Sequence, residues 1–410
     1  MKTSASGSPL GFLATADGWL RTEIGAAADR MPRAASLCRW LAARPVAVIV
    51  ALSALRGSLD ALGYQHPQDP HLFSAAADTM LSGGWAETFA DERVQTGPLQ
   101  LLFYAPLGRI ADLFGVDVRV PLSIMATIAF SVAVLFVARL FLSDAGKRSP
   151  GAELFVGLVT VLGGLSWTAA TSGHPSEGFI PLLWLLAARD AQRGRPGRAG
   201  LLIGLSAGFK LWGVMAVPLL LLSPGARGLA RGLAIQAATV GLLYGPFLIG
   251  GRVEMFDYVW DIRQQSPLRF LFGPDIPFTW SMRLAQGAVI LAAGAGLSLL
   301  ARGSRAAAWA VPLGIVAARL LVDPLDYHYY WLPVGTILLV AMATTLPQRI
   351  SWLHLPAATV FYATLLPFFL MGGVWLAAFI AVASTALLAL ALLASRPPTA
   401  EVFPDPAWAG

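Results

Sequence analysis

Scattered among long apolar stretches are a few polar residues whose types suit one kind of chemistry: Asp69 and His71, His174, Lys210, Arg263 and Arg269, and the run Asp326-Tyr327-His328. A carboxylate can accept a proton, an imidazole can donate a hydrogen bond, and a lysine or arginine can hold an anion. Together they suit transfer of a group from a lipid-borne phosphate to a hydroxyl. Four of the five histidines, His66, His71, His174 and His328, fall in these polar interruptions. Ionisable groups in or beside a membrane are functional-site candidates by default.

Each candidate also has a plainer reading. Asp69 precedes Pro70, which is the pattern of a helix cap followed by proline at the first helical position. His174 could simply shape its tight loop. His328 stands among Tyr327, Tyr329 and Tyr330, as residues of an interfacial aromatic belt do. Lys210 could snorkel from an ordinary span, and Arg263, Arg269 and Arg283 could bind anionic headgroups. Arg56 and Asp60, four apart, read as an internal ion pair. His66 and His354 receive no role.

Metal chemistry has little sequence support. Asp69, His71, His174 and His328 could converge, yet no His-x-x-x-His pair or His-Glu-x-x-His helix is present, so no metal and no cofactor is expected. The single cysteine, Cys38, excludes an internal disulfide and a cysteine-based zinc cage. No phosphate-binding Gly-x-x-x-x-Gly-Lys loop or dinucleotide fingerprint occurs, which disfavours a soluble nucleotide-sugar donor.

The elements that must position these groups follow from composition. Of 410 residues, 56% are hydrophobic and only 13% charged, far from the usage of a soluble domain. The class is an all-α polytopic membrane protein. The net charge of +6 fits cytoplasmic loops and membrane lipids rather than nucleic acid. Residues 1–44 lack a signal-peptide pattern and read as a cytoplasmic segment. Residues 45–395 read as one transmembrane domain, and 396–410, rich in proline, as a disordered cytoplasmic tail.

Arginine and lysine in short loops set the topology, since these stay on the cytoplasmic side. Spans are expected near 45–63, 119–142, 152–171, 178–189, 232–250, 281–301, 306–322, 329–346, 353–371 and 373–395, with 98–116 flat at the outer interface. The stretch 199–223 is the ambiguous one. As a single span it would reverse every later loop, whereas two half-helices meeting near Gly208-Phe-Lys210 keep Arg227 and Arg231 inside. The sum is roughly twelve spans with both termini cytoplasmic. Outer loops 64–118 and 251–280 result, the latter with an interfacial amphipathic helix. All the candidate groups then fall on the outer face.

The motifs also carry a resemblance. Asp69-Pro-His-Leu-Phe-Ser-Ala-Ala-Ala-Asp-Thr-Met-Leu-Ser-Gly-Gly-Trp85 resembles the first outer loop of glycosyltransferase family 87, the polyprenol-phosphate-mannose-dependent enzymes of the GT-C superfamily. Thr96-Gly-Pro-Leu99 is similar to that family's Tyr-Pro-Pro-Leu turn. Arg198-Ala-Gly-Leu-Leu-Ile-Gly-Leu-Ser-Ala-Gly-Phe-Lys210 resembles its glycine-rich helix ending in lysine. Asp323-Pro-Leu-Asp-Tyr-His-Tyr-Tyr-Trp-Leu-Pro333 resembles an element that carries paired histidines in the family and here has His328-Tyr329. Gly173-His174-Pro175 replaces a frequent Gly-Gln-x-Asn.

The resemblance implies a GT-C-like fold and an inverting glycosyltransferase in the plasma membrane of a cell. A hexose, mannose favoured, would pass from a polyprenyl-phosphate donor to a glycolipid or polysaccharide hydroxyl at the outer face. Asp69 would be the base, and His328 would contact the departing phosphate or orient the acceptor. His71, His174, Lys210, Arg263, Arg269, Asp326 and Tyr327 would bind substrate. The competing classes are a transporter or lipid flippase, which would also have broken helices around a polar cavity, and an inactive scaffold relative. Crowding of the polar loops on one side and the lack of an internal repeat favour the enzyme.

Overall fold

The apolar runs form helices because an open backbone finds no hydrogen-bond partner in hydrocarbon. The computed structural model describes residues 29–63, 69–273, 276–345 and 371–395, together with Thr22 and Ala26. Its helices are α1 (Pro32–Ala42), α2 (Pro45–Gly63), α3 (Asp69–Leu81), α4 (Pro98–Phe114), α5 (Arg119–Asp144), α6 (Pro150–Leu162) and α7 (Leu165–Thr171). They continue with α8 (Ser176–Gln192), α9 (Pro196–Phe209), α10 (Ala226–Gly250), α11 (Trp280–Leu300), α12 (Ala307–Val322), α13 (Leu332–Thr345) and α14 (Gly373–Ser395). Proline opens α1, α4, α6 and α9, where its missing N–H is no loss. Ser149 caps α6 by accepting from the Ala152 amide.

Five helices, α2, α5, α10, α11 and α14, are long and apolar enough to cross a bilayer, and the pair α6 and α7, bent by 45°, makes a sixth if it counts as one span. The chain is therefore a multi-pass membrane protein. The remaining expected spans correspond to shorter helices, α8, α9, α12 and α13. The expected span 353–371, the tail 396–410, most of the segment 1–44, His66 and His354 lie wholly or largely outside the described residues.

Two expectations change. The stretch 152–171 is not straight: it breaks at Gly163-Gly164, where Gly164 has φ +82°, a conformation glycine adopts without steric cost. The loop 251–280 has no α-helix among its described residues. It holds a two-residue antiparallel ladder, β1 (Trp260–Asp261) on β2 (Pro277–Phe278), and a 3-10 turn at Pro267–Phe270. Pro267 opens the 3-10 turn and Pro277 opens β2, positions where a missing donor is tolerated.

The chain folds back at Lys210. α9 ends at Phe209, Lys210 takes an extended conformation (φ −158°, ψ 137°), and a 3-10 helix, Leu211–Leu222, follows. Gly213 sits against the backbone of Ser206, so the two halves lie side by side. On another side of α9, Gly200, Gly204 and Gly208 recur every four residues and meet Gly232, Thr239 and Leu243 of α10. Small residues at this spacing allow helix backbones to approach closely. The main core joins α5, α8, α9, α12 and α13 around fully buried Trp184 and Trp331, and a second core binds α3 to α4 through Phe73, Leu101 and Tyr104.

Candidate functional site

The site is built where four loops meet. Asp69 is the first residue of α3, and its Oδ2 lies 2.9 Å from Nε2 of buried His174. No amide of α3 donates to this carboxylate among the described residues. His174 owes its position to a tight loop: Gly173 has φ +72°, its carbonyl accepts from Tyr104 Oη at 2.7 Å, and the His174 amide donates to Ser172 Oγ at 3.1 Å. The ring stacks on Tyr329 (4.7 Å between centroids) and meets Phe73 edge-on. Tyr329 in turn stacks on Tyr327, and the Arg263 guanidinium lies 4.3 Å over Tyr327. An unbroken series of contacts thus runs from Asp69 through His174, Tyr329 and Tyr327 to Arg263.

Electrostatics follow from these contacts. The hydrogen bond from His174 holds the Asp69 carboxyl below its ordinary value, outweighing the burial that opposes it. Burial, helped by the Lys210 charge, keeps the His174 imidazole below its own ordinary value. Neutral His174 then donates from Nε2, and its Nδ1 is buried without a hydrogen-bond partner.

A buried ionic chain adjoins this pair. Lys210 Nζ lies 3.2 Å from Glu177 Oε1, and Arg319 donates to Glu177 Oε2 at 3.0 Å. Arg319 also reaches Asp323 at 3.3 Å and is packed between Trp212 and Tyr330. Arg283, stacked on Trp260, pairs with the second oxygen of Asp323 at 3.3 Å. Glu177 has both oxygens occupied by cations and no exposed surface.

The backbone around Lys210 is braced from the segment just before α4 and from α10. Gly97 N and Thr96 Oγ1 donate to the Phe209 carbonyl, and Tyr244 Oη donates to Ala207 O. A side chain at position 97 would overlap Gly208 O, so only glycine allows this approach. Just beyond the break, Leu211, Tyr244, Phe247, Val253, Met255 and Phe256 line an apolar cavity of about 80 Å³.

Residues 97–283, from that glycine to the arginine that ends the ionic chain, match the model of glycosyltransferase family 87. Over this segment the chain is similar to glycosyltransferase family 87. The matched segment contains His174, Glu177, Lys210, Arg263 and Arg269, whereas Asp69 precedes it and Asp326, Tyr327 and His328 follow it. A solved structure of the mycobacterial arabinofuranosyltransferase AftD is similar to 87% of this chain at 16% identity with a TM-score of 0.40, and the chain spans 26% of that protein's length. No curated protein matches the chain.

Not every residue expected at the site joins it. Asp69, His174, Tyr327 and Arg263 are linked as above, and the charge of Lys210 acts on both Asp69 and His174. His71 turns elsewhere, with Nε2 3.4 Å from Asp117, whose carboxyl its own Arg119 bond brings down to about 2. His328 is partly buried and edge-on to Tyr329. Arg269 is in the 3-10 turn of the loop 251–279, and among the described residues it makes no hydrogen bond or ion pair with Asp69 or Lys210. Asp326 is fully buried and neither carboxylate oxygen has a hydrogen-bond partner. Burial, then nearby Asp323, pushes its pKa well up. Among the described residues no three His, Cys, Asp or Glu side chains are grouped to hold a metal ion.

Glu177, Arg319 and Tyr329 were not among the expected site residues. Arg319 carried a usable signal, being a charge inside the apolar stretch 306–322. Glu177 follows His174 by three positions in a loop already marked as polar.

Proposed function

We propose that this chain is a family 87 glycosyltransferase that moves a hexose, mannose favoured, from a polyprenyl-phosphate donor to a hydroxyl of a glycolipid or polysaccharide, with inversion at the anomeric carbon. The observation that carries this reading is the Asp69–His174 pair beside the Lys210–Glu177–Arg319 chain: a half-exposed carboxylate with one oxygen held and a cation alongside.

Asp69 takes the proton of the acceptor hydroxyl. That oxygen forms its bond to the anomeric carbon as the bond from the same carbon to the donor's phosphate oxygen breaks. The phosphodiester becomes a phosphomonoester and gains one negative charge, matching the one that Asp69 loses. Lys210 lies near the developing charge and stabilises it, and Arg263 presents a second cation. His174 keeps the base ionised and aimed, and His328 and Tyr327 contribute to the wall that orients the acceptor. The apolar cavity beyond Lys210 suits a segment of the donor's hydrocarbon chain.

The architecture that goes with this function is GT-C-like: residues 45–395 as one transmembrane catalytic domain of about twelve spans, counted by the charge rule, both termini cytoplasmic and the site at the outer face of the cell membrane. Purified protein given polyprenyl-phosphate-mannose and a lipid extract should form a glycosylated product that Asp69→Asn no longer makes. Full transfer by Asp69→Asn would remove the base assignment. The absence of transfer with any lipid-linked sugar would favour a carrier or scaffold.

A further inference from the structure

The loop between α10 and α11 ends in a tip whose apolar side chains face away from the protein. In the 3-10 turn and the residue after it, Phe270 is 55% and Leu271 77% exposed. Isolated exposed leucines need no explanation, but contiguous apolar surface does. This patch adjoins the apolar helices that its turn packs on, and the loop that carries it joins two further apolar helices. The loop leaves α10 just after Ile249, 90% exposed, and enters α11 just before Leu284, 72% exposed, and both helices are long and apolar enough to span. The 3-10 turn itself packs on α12 and α14, and α14, a third candidate span, begins there with exposed Val374 and with Trp375 at 79%.

Arg269 stands next to Phe270, and no ion pair is made by its side chain among the described residues. An aromatic and an aliphatic side chain with an adjacent arginine, level with the ends of spanning helices and with a tryptophan nearby, is the composition of a bilayer interface.

The geometry points to the bilayer as the occupant: we propose that Arg269, Phe270 and Leu271 dock the loop 251–279 into the membrane edge, with the apolar side chains among acyl chains and the guanidinium at headgroup phosphate. The docked loop is also a wall of the candidate site. The Arg263 amide donates to Pro324 O, Ser266 Oγ to Asp323 O at 2.5 Å, and Gln265 Nε2 to Asp326 O. The membrane surface therefore sets the position of the Asp323–Tyr327 segment, and with it the Arg263–Tyr327 stack. This holds whatever group the site transfers.

The test uses full-length protein with Cys38→Ser, which removes the single native thiol. Leu271→Cys, Phe270→Cys and, as an aqueous control in the other loop, Arg93→Cys each carry an environment-sensitive fluorophore. Each labelled protein is reconstituted one copy per lipid nanodisc. Labels at 270 and 271 should emit at shorter wavelength than the label at 93, be quenched several-fold more by phospholipids spin-labelled near the top of the acyl chain, and resist iodide. Adding Arg269→Gln should weaken the quenching more in discs containing anionic lipid than in zwitterionic ones. Iodide quenching at 270 and 271 equal to that at 93 would overturn the proposal. Short-wavelength emission insensitive to the spin-labelled lipids would put a protein surface on the patch and overturn it equally. Because both positions are exposed, correct folding is checked by an unchanged elution profile.

Discussion

His174 and Asp69, 105 positions apart in the chain, meet at 2.9 Å, with the imidazole buried and the carboxylate half-exposed. The buried partner controls the exposed one. Because the His174 hydrogen bond is the largest influence on Asp69 and lowers its pKa, while burial opposes it, removing the ring leaves burial in charge. In wild-type protein the Asp69 carboxylate stays ionised to below the ordinary carboxylate value, so with Asp69 as the proposed base, activity falls only as pH drops through that depressed pKa. His174→Ala should move the acid limb of kcat/KM to higher pH. Asp69→Asn should lower transfer by about 10²- to 10⁴-fold, the usual worth of a general base. A pH profile of His174→Ala superimposable on wild type would refute the pairing's role.

Glu177 accepts from Lys210 with one oxygen and Arg319 with the other, and it is fully buried. Its removal strands Lys210 and leaves Arg319 with Asp323 alone in a low-dielectric interior, and breaking a buried pair on one side costs about 3–5 kcal/mol. Glu177→Gln should therefore lower the thermal midpoint clearly, as read by fluorescence in detergent. Adding Lys210→Met removes the stranded charge and should restore part of the loss. A double variant no more stable than Glu177→Gln alone would mean that Lys210 and Glu177 are not coupled.

Why some of this could be read in the chain and some could not has a physical basis. The break at Lys210 was legible because loop charge constrains parity: only a fold-back between Ala199 and Ser223 leaves Arg227 and Arg231 on the side of the other arginines. Asp69 and His174 were both visible as polar groups amid apolar sequence. Their pairing was not, since it depends on how α3 packs against the loop after α7, and residue spacing carries no trace of such a contact. Arg319 was overlooked inside an apolar run although its type alone marked it. In 251–280, aromatic and basic composition suggested a helix, while the described residues of the loop form a short ladder and a 3-10 turn, a tertiary outcome that composition does not carry.

The glycines of α9 and α10 make opposing forecasts from the same residue type. A Cβ on Gly200 would run into the Gly232 carbonyl and backbone of α10, whereas Gly241 and Gly245 have nothing within 4 Å. Gly200→Ala must push two backbones apart, an overpacking cost of about 1–3 kcal/mol. Gly241→Ala should be neutral or stabilising by up to about 1 kcal/mol, since alanine is the better helix former. Melting curves of the two variants in one detergent give the comparison. Equal midpoints would show that the α9–α10 approach is looser than the glycine spacing implies.

Asp326 gives the last forecast, because its carboxyl is buried between α12 and the following 3-10 turn with both oxygens unpartnered. No hydrogen bond among the described residues stabilises charge there, and burial followed by Asp323 outweighs the opposing Arg319 charge and raises its pKa well above the ordinary 3.8. The sign follows from linkage. A raised folded-state pKa means that the neutral acid's contribution is fully present below 3.8 and is lost as pH rises through the folded value, where the buried group must ionise. Wild-type protein should accordingly lose thermal stability as the pH is raised above about 3.8 towards the raised folded-state value. Asp326→Asn keeps the shape and cannot ionise, so its midpoint should respond less to the same change. Identical pH slopes for the two proteins would show that this carboxyl is already ionised, with a cation or water satisfying it.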